Sequence, residues 1–395
     1  MAKKIALIIE RADVTLGGAE RSVTELADGL SALGNDVHIL AAKGTANAAN
    51  VHILCPSGSA KRVSFAEFKS ALEKHLEQNH YDIIHSVLPF DFADVYQPRG
   101  GTYAETILRN ADSFQNRFLE VWKKLTAFAN IRRNVLLKAE RKLAANPNGP
   151  HIVAISQYVA DQFKRHYGTD DGLITIIPNG VNIDKAVDTV EASKLRSQIL
   201  TKFNLTEAQK PVLFLFAANN FRLKGLAPLI RAIHLSSQDS KTKSSYFIIA
   251  GGGKMHKYHR LAARLGVDKK IIFLGKIPHI HNVLSIIDVA VLPTFYDPSS
   301  RFVLEALAAD KPVITTRFNG ASDLFVDGRH GKIVDTPENI TALAGAIAHF
   351  SVPENVSKAS KAIRDDNLKE KVSIDRAVKQ LDDLYESIIE RRRCK

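Results

Sequence analysis

Two carboxylates, Asp297 and Glu305, stand with seven residues between them in YDPSSRFVLEALAADKPVITT. Asp297 falls in a loop after an apolar strand, Val289 to Leu292. Glu305 is expected on the first turn of a helix, within the apolar run Val303 to Ala309. Lys311-Pro312 and the β-branched Val313-Ile314-Thr315-Thr316 follow. Such a strand–loop–helix–strand unit aims its acids at the C-terminal edge of a parallel sheet, where open α/β folds bind ligands. The neighbouring helix start attracts a diphosphate. A carboxylate there accepts hydrogen bonds from sugar or ribose hydroxyls. The backbone amides of Ser299, Ser300, Arg301, Phe302 and Val303 are available to the sugar and the phosphate.

Other segments could join this chemistry. Arg222 and Lys224, in AANNFRLKG, follow the apolar run PVLFLF. Cations at a strand end neutralise a departing diphosphate, although most lysines and arginines are simply solvated. Gly251-Gly252-Gly253 follows YFIIA and precedes a helix, which fits either close approach of a nucleotide or a plain turn. Gly17 and Gly18 open a helix after the first strand; with exposed amides they suit an anion, and an ordinary tight loop is the other reading. His85, with Asp91 and Asp94 downstream, follows a strand. It is a proton partner or acceptor contact, or equally a hydrogen-bonded structural histidine. Arg99-Gly100-Gly101 could meet an anionic acceptor.

The elements that must hold these residues alternate. Ile5 to Ile9, Val37 to Ala41, Ile83-Ile84 and His151 to Ile155 read as strands, with helices over Ala19 to Leu33, Phe65 to Glu77 and Gln157 to His166. The alternation restarts at Pro211 to Phe216 and continues through Tyr246 to Ala250, Ile271 to Leu274, Val289 to Leu292 and Val313 to Thr316. Helices are expected over Leu226 to Leu235 and Lys257 to Leu265. The pattern predicts an α/β chain of two Rossmann-like domains. The expected boundaries are 1–176 and 177–371, with a final helix from 372 packing back on the first domain; the turn cluster IPNGVN marks the join. Ser113 to Ala145 is expected to be one long helical stretch with eight Lys/Arg against two Glu. Phe118, Trp122 and Phe128 interleave with the charges, so it reads as either a core helix with a basic face or a helix resting on an anionic bilayer.

Composition narrows the classes. At 395 residues the chain exceeds what one core usually holds. Its net charge is +12, of which residues 181–395 carry +10 (33 basic against 23 acidic). No zinc-finger, RRM or KH signature accompanies that charge, so nucleic acid is not expected as a partner. Cys55 and Cys394 form no metal or redox spacing and suit a reduced, cytoplasmic protein. The apolar run Ile5 to Ile9 is too short for a signal peptide, and no run approaches the ~20 residues that span a bilayer.

GGAER, IPNGVN, RLKG, GGG and DPSSRFVLEALAADKPV occur in the order found in retaining glycosyltransferases of family 4, which the chain resembles over nearly its whole length. The resemblance implies a GT-B fold, with the terminal helix crossing back, and a hexose moved from a nucleotide diphosphate sugar to an acceptor hydroxyl. A UDP-sugar is the favoured donor, and neither a metal nor another cofactor is required. It assigns Gly17 and Gly18 to the donor diphosphate, Lys224 and Arg222 to the leaving group, and Gly251 and Gly252 to the nucleotide. Asp297 would hold sugar hydroxyls and Glu305 the ribose. Two departures stand out: Asp297 replaces the usual Glu, and DPSSRFVLE lacks the common glycine–aromatic–glycine. That lack, with the basic helical stretch, resembles the lipopolysaccharide core glucosyltransferase I group. The implied acceptor is a cell-envelope glycan or glycolipid, reached at the inner face of the cytoplasmic membrane. A nucleotide-sugar epimerase and a non-catalytic binding module are the rivals. A Rossmann oxidoreductase would need GxGxxG at the first βα turn, which is absent.

Overall fold

The computed structural model describes residues 2–13, 18–45, 48–55, 63–114 and 117–394. The chain divides into two compact units, one of Met1–Ala111, Phe118–Asn182 and Ile374–Lys395, the other of Asp112–Arg117 and Ile183–Ser373. The sequence expectation put the corresponding boundaries at 177 and 372.

The first unit is built on a seven-stranded sheet. Its strands are β1 (Lys4–Ala12), β2 (Asp36–Gly44), β3 (Val51–Ile53), β4 (Ile83–Ser86), β5 (Val95–Tyr96), β6 (His151–Ala154) and β7 (Ile174–Ile176), in the order β3-β2-β1-β4-β5-β6-β7. All pairings are parallel. Ile5 to Ile9 of β1 are buried without alternation, as expected of a central parallel strand covered on both faces. On one face, Val23, Leu26 and Leu30 of the helix Gly18–Ala32 pack with Val378, Leu381 and Tyr385 of the helix Ile374–Arg393. The other face is covered by Phe68, Leu72, Phe90 and Leu136. Two contacts tie the terminal helix to the IPNGVN segment: the Ile374 amide donates to Val181 O (2.9 Å), and Arg376 Nη2 donates to Pro178 O (2.6 Å).

The expected single helix over 113–145 is not formed. The helix Arg117–Leu125 runs into a 3-10 turn, Thr126–Ala129, and a second helix occupies Ile131–Ala144. Asn130 causes the restart: its side chain accepts from the Arg133 amide at 3.0 Å and caps the second helix. Nor is the first piece a core helix, because Phe118 and Trp122 are 77% and 50% exposed. Glu140, counted above among the stretch's charges, is fully buried and accepts from the Tyr96 and Tyr167 hydroxyls and the Tyr103 amide. Burial pushes its carboxyl up to about 7 against those three hydrogen bonds.

The second unit carries a six-stranded parallel sheet: β8 (Val212–Ala217), β9 (Ser245–Ala250), β10 (Ile271–Gly275), β11 (Val289–Leu292), β12 (Val313–Thr316) and β13 (Gly331–Val334). Their order is β10-β9-β8-β11-β12-β13. The order reverses beside β8, so β8 and β11 form the switch point outside whose C-terminal ends ligands bind. Among the described residues no helix is long and apolar enough to cross a membrane.

Candidate active site

The loop leaving β11 is held by buried side chains. The Asp297 amide donates to Phe318 O and the Gly320 amide donates to Asp297 O, each at 2.8 Å, so the loop runs beside the segment after β12 as a short parallel pairing. Asn319, fully buried, completes the frame. Its Oδ1 accepts from the amides of Ser300 (3.2 Å) and Ala321 (3.1 Å), and its Nδ2 donates to Thr315 Oγ1 (2.9 Å). Thr316 Oγ1 donates to Thr294 O at 2.6 Å, and Thr294 Oγ1 donates to Tyr296 O at 2.9 Å.

Lys224 reaches this loop from the end of β8. The Phe295 amide donates to Leu223 O at 2.9 Å, which draws the two loops together. Their approach requires glycine at 225: φ is +80°, and a Cβ there would stand 1.8 Å from Pro293 O. Lys224 Nζ then donates to Asp297 Oδ2 (2.7 Å) and to Tyr296 O (2.8 Å). The pair is mostly enclosed, with side-chain exposures of 20% and 14%. Arg222, two residues from Lys224 in the same loop, makes different contacts. The Arg222 guanidinium lies 3.9 Å from the centre of the Phe114 ring and donates to Ser113 Oγ. Burial lowers its pKa.

The helix that follows spans Arg301–Ala308, with Ser300 as N-cap making no side-chain capping bond. Its first-turn amides are oriented for an anion. Phe302 and Val303 bury their side chains, so only their amides can serve a ligand. Because the helix begins at Arg301, Glu305 lies on the second turn, not the first as expected. The macrodipole fades within a turn. The charge facing Glu305 is instead Arg301, whose Nη2 is 3.6 Å from Oε1. Across the sheet, Gly251 closes the turn after β9 at φ +138°, where a Cβ would meet Ala218 O at 1.7 Å; Gly252 continues that turn.

Within the first unit the outcome differs by residue. His85 is 1% exposed and paired through Nδ1 with the Tyr385 hydroxyl. Burial, and then the positive charge of Arg99, pushes its pKa down to about 3. A buried imidazole bonded to the Tyr385 hydroxyl has the surroundings of the second of the two readings, the hydrogen-bonded structural histidine. Asp91 accepts from Lys69 Nζ at 2.7 Å, and Asp94 accepts from the Ile84 amide at 2.8 Å and from Arg392, so both serve the fold. Arg99 Nη1 donates to Asn179 Oδ1 at 3.0 Å, alongside Ser22 Oγ at 3.1 Å. Gly18 is the exposed first residue of its helix; Gly17 lies outside the described residues. Asn319-Gly320 supports the Asp297/Glu305 reading in the sequence, but the framing role of the Asn319 side chain and the part played by Thr294 carry no signal until their neighbours are known.

A six-stranded parallel sheet with a lysine–carboxylate pair and a helix start at its switch point is laid out as a ligand site. The family models agree in order: Glycosyltransferase Family 4 matches residues 16–185, and Glycosyl transferases group 1 matches residues 197–365. The chain is a glycosyltransferase of the GT-B class. It is similar to the lipopolysaccharide glucosyltransferase WaaG of Escherichia coli K12, at 22% identity over 324 residues, 81% of this chain and 82% of that protein. The crystal structure of WaaG aligns with a TM-score of 0.75 at 18% identity, covering 96% of this chain and 99% of that one. Anabaena Alr3699/HepE in complex with UDP-glucose aligns at 0.72 and 17% identity, covering 98% and 100%. These two structural likenesses concern the fold.

Proposed function

We propose that the chain moves a hexose, with retention, from a UDP-sugar to a hydroxyl of a cell-envelope glycan or glycolipid of the lipopolysaccharide-core kind. The observation that carries the reading is the Lys224–Asp297 pair beside the uncapped helix start of Arg301–Ala308. Asp297 accepts from sugar hydroxyls, Glu305 from the ribose, and the amides of Arg301 to Val303 take the diphosphate. Lys224 opposes the charge that grows as the anomeric C–O bond breaks. A bond from the acceptor oxygen to the anomeric carbon replaces it, and the acceptor proton leaves with the nucleoside diphosphate. No step is routed through a metal. The named activity of WaaG and the UDP-glucose of HepE support the choice of donor and acceptor. A panel of UDP-, GDP- and ADP-hexoses, with and without glycolipid acceptor, tests it. UDP release that depends on acceptor is expected, with the product α- or β-linked as in the donor. Release or isomerisation of donor without acceptor would establish an epimerase, and binding without turnover a binding module.

The same reading places the enzyme at the cytoplasmic face of a membrane, touching it through 117–135. Phe118, Val121, Trp122 and Ile131 are exposed there at 49–80%, and Lys123 Nζ sits 5.1 Å from the centre of the Trp122 ring. Such a surface suits an anionic interface. Arg132 must be left intact in any test, because it pairs with Glu10 at 2.7 Å and donates to Val63 O. Wild type should co-sediment with anionic vesicles at low salt and less at high salt. The Phe118→Ser/Trp122→Ser variant should stay in the supernatant while remaining folded. Equal sedimentation of the two proteins, or none by either, would remove the membrane from the picture.

A further inference from the structure

Half of the chain's net charge is gathered in one short stretch. Residues 254–276 hold seven Lys/Arg (254, 257, 260, 264, 269, 270 and 276) against one acid, Asp268, which is +6 of the total +12. Lys270 is engaged, donating to Lys243 O, and the other six are exposed. Among the described residues none of those six has a carboxylate partner. Elsewhere in the same unit surface cations are paired: Arg196 with Glu207 at 2.7 Å, Arg317 with Asp335 at 2.6 Å and Arg329 with Asp366 at 2.6 Å. Within the helix His256–Arg264, Lys257, Arg260 and Arg264 stand three and four residues apart. Like charges at those spacings destabilise a helix, so the fold gains nothing from the arrangement.

The stretch borders the glycine turn after β9. Lys254 follows Gly253 directly, and the Lys276 side chain lies against Gly252, its Cε 2.7 Å from where a Cβ would stand. The Gly251 amide donates to Gly275 O at 2.7 Å, which ties the turn to the end of β10, an edge strand. Tyr258 is buried against Phe221, with ring centres 5.6 Å apart, so the opposite side of the helix, with its cations, faces water. We infer that this basic edge is a capture face for the nucleotide donor: its field draws the diphosphate towards the glycine turn and speeds association without holding the bound ligand. The inference rests on the reading of the second unit as a UDP-sugar site and adds how that site is reached. Unpaired charges of one sign sum to a potential that concentrates a small dianion and raises its on-rate. Exposed charges outside the contact act on the on-rate and its salt dependence, whereas buried partners act on the off-rate.

Stopped-flow binding of UDP to the full chain tests this. In wild type the on-rate should fall steeply as salt is added, while the off-rate stays level. Lys257→Gln/Arg260→Gln/Arg264→Gln should lower the on-rate about 3- to 10-fold at low salt and leave the off-rate unchanged. At about 1 M salt, where the field reaches only about 3 Å, the two proteins should associate alike. The melting temperature of the variant should be equal or higher, because like charges have been removed from one helix. Lys358→Gln/Lys369→Gln/Lys371→Gln removes as much charge from exposed positions elsewhere in the unit and should leave the on-rate within about twofold. An on-rate indifferent to salt, or lowered equally by both triple variants, would overturn the inference while leaving the donor site in place. So would an unchanged on-rate in the first variant together with lost sedimentation on equimolar phosphatidylcholine and phosphatidylglycerol vesicles, which would give the face to a lipid surface instead. If wild type binds neither UDP nor a UDP-hexose, the proposed function falls and the inference with it.

Discussion

Lys224→Ala is expected to lower kcat about 100-fold or more, with a much smaller change in donor KM. Its charge is worth most when the diphosphate departs, and interactions that strengthen in the transition state appear in kcat. The geometry adds a complication that the measurement must resolve. Lys224 Nζ donates to Asp297 Oδ2 at 2.7 Å, so its removal also strips a cation from that carboxylate. A double-mutant cycle with Asp297→Asn distinguishes the two effects. If Lys224 acts only by orienting Asp297, Lys224→Ala should add nothing in the Asp297→Asn background. If it acts on the leaving group, most of its effect should remain there. Lys224→Arg should rescue poorly, since a planar guanidinium does not reproduce a compact ammonium that also donates to Tyr296 O at 2.8 Å. A normal kcat in folded Lys224→Ala would make this an ordinary loop lysine.

The second large effect is on binding. Glu305→Ala should weaken affinity for the UDP-sugar by about 10- to 100-fold, the range for losing a charged acceptor worth ~1.5–3 kcal/mol. Glu305 is 8% exposed and faces Arg301 at 3.6 Å. A ribose contact makes a sharper statement than affinity alone. Wild type should prefer UDP-hexose to its 2′- or 3′-deoxyribose analogue, and Glu305→Ala should bind both alike. A preference that survives the mutation would assign the ribose to another residue. Melting curves taken in parallel show whether Arg301, left facing the gap, costs the fold anything.

Much of this was legible in the linear chain. Ile5 to Ile9 and Val289 to Leu292 announce buried parallel strands because nothing polar interrupts them, and both are strands of the two sheets. The short β3, β5, β7 and β13, of two to four residues, were not anticipated. Strands that short show no period, and pairing with a neighbour alone makes them strands. The break at Asn130 was missed for a related reason. Charge and apolar spacing run through it, and one capping side chain outweighs them.

Residue types and spacing determined that Asp297, Glu305, Lys224 and the glycine turns cluster at strand ends, because strand–loop–helix order alone decides which edge of a parallel sheet a loop occupies. Tertiary structure decided which of them meet. Lys224 and Arg222 are two residues apart in one loop, yet one pairs with Asp297 and the other stacks on Phe114, since Gly225 against Pro293 O sets the direction of the loop. His85 follows a strand like any site histidine, and only the terminal helix, three hundred residues away in the chain, makes it a buried, neutral partner of Tyr385. Burial and partnership belong to the packed molecule: each depends on residues far away in sequence, and no local pattern carries them.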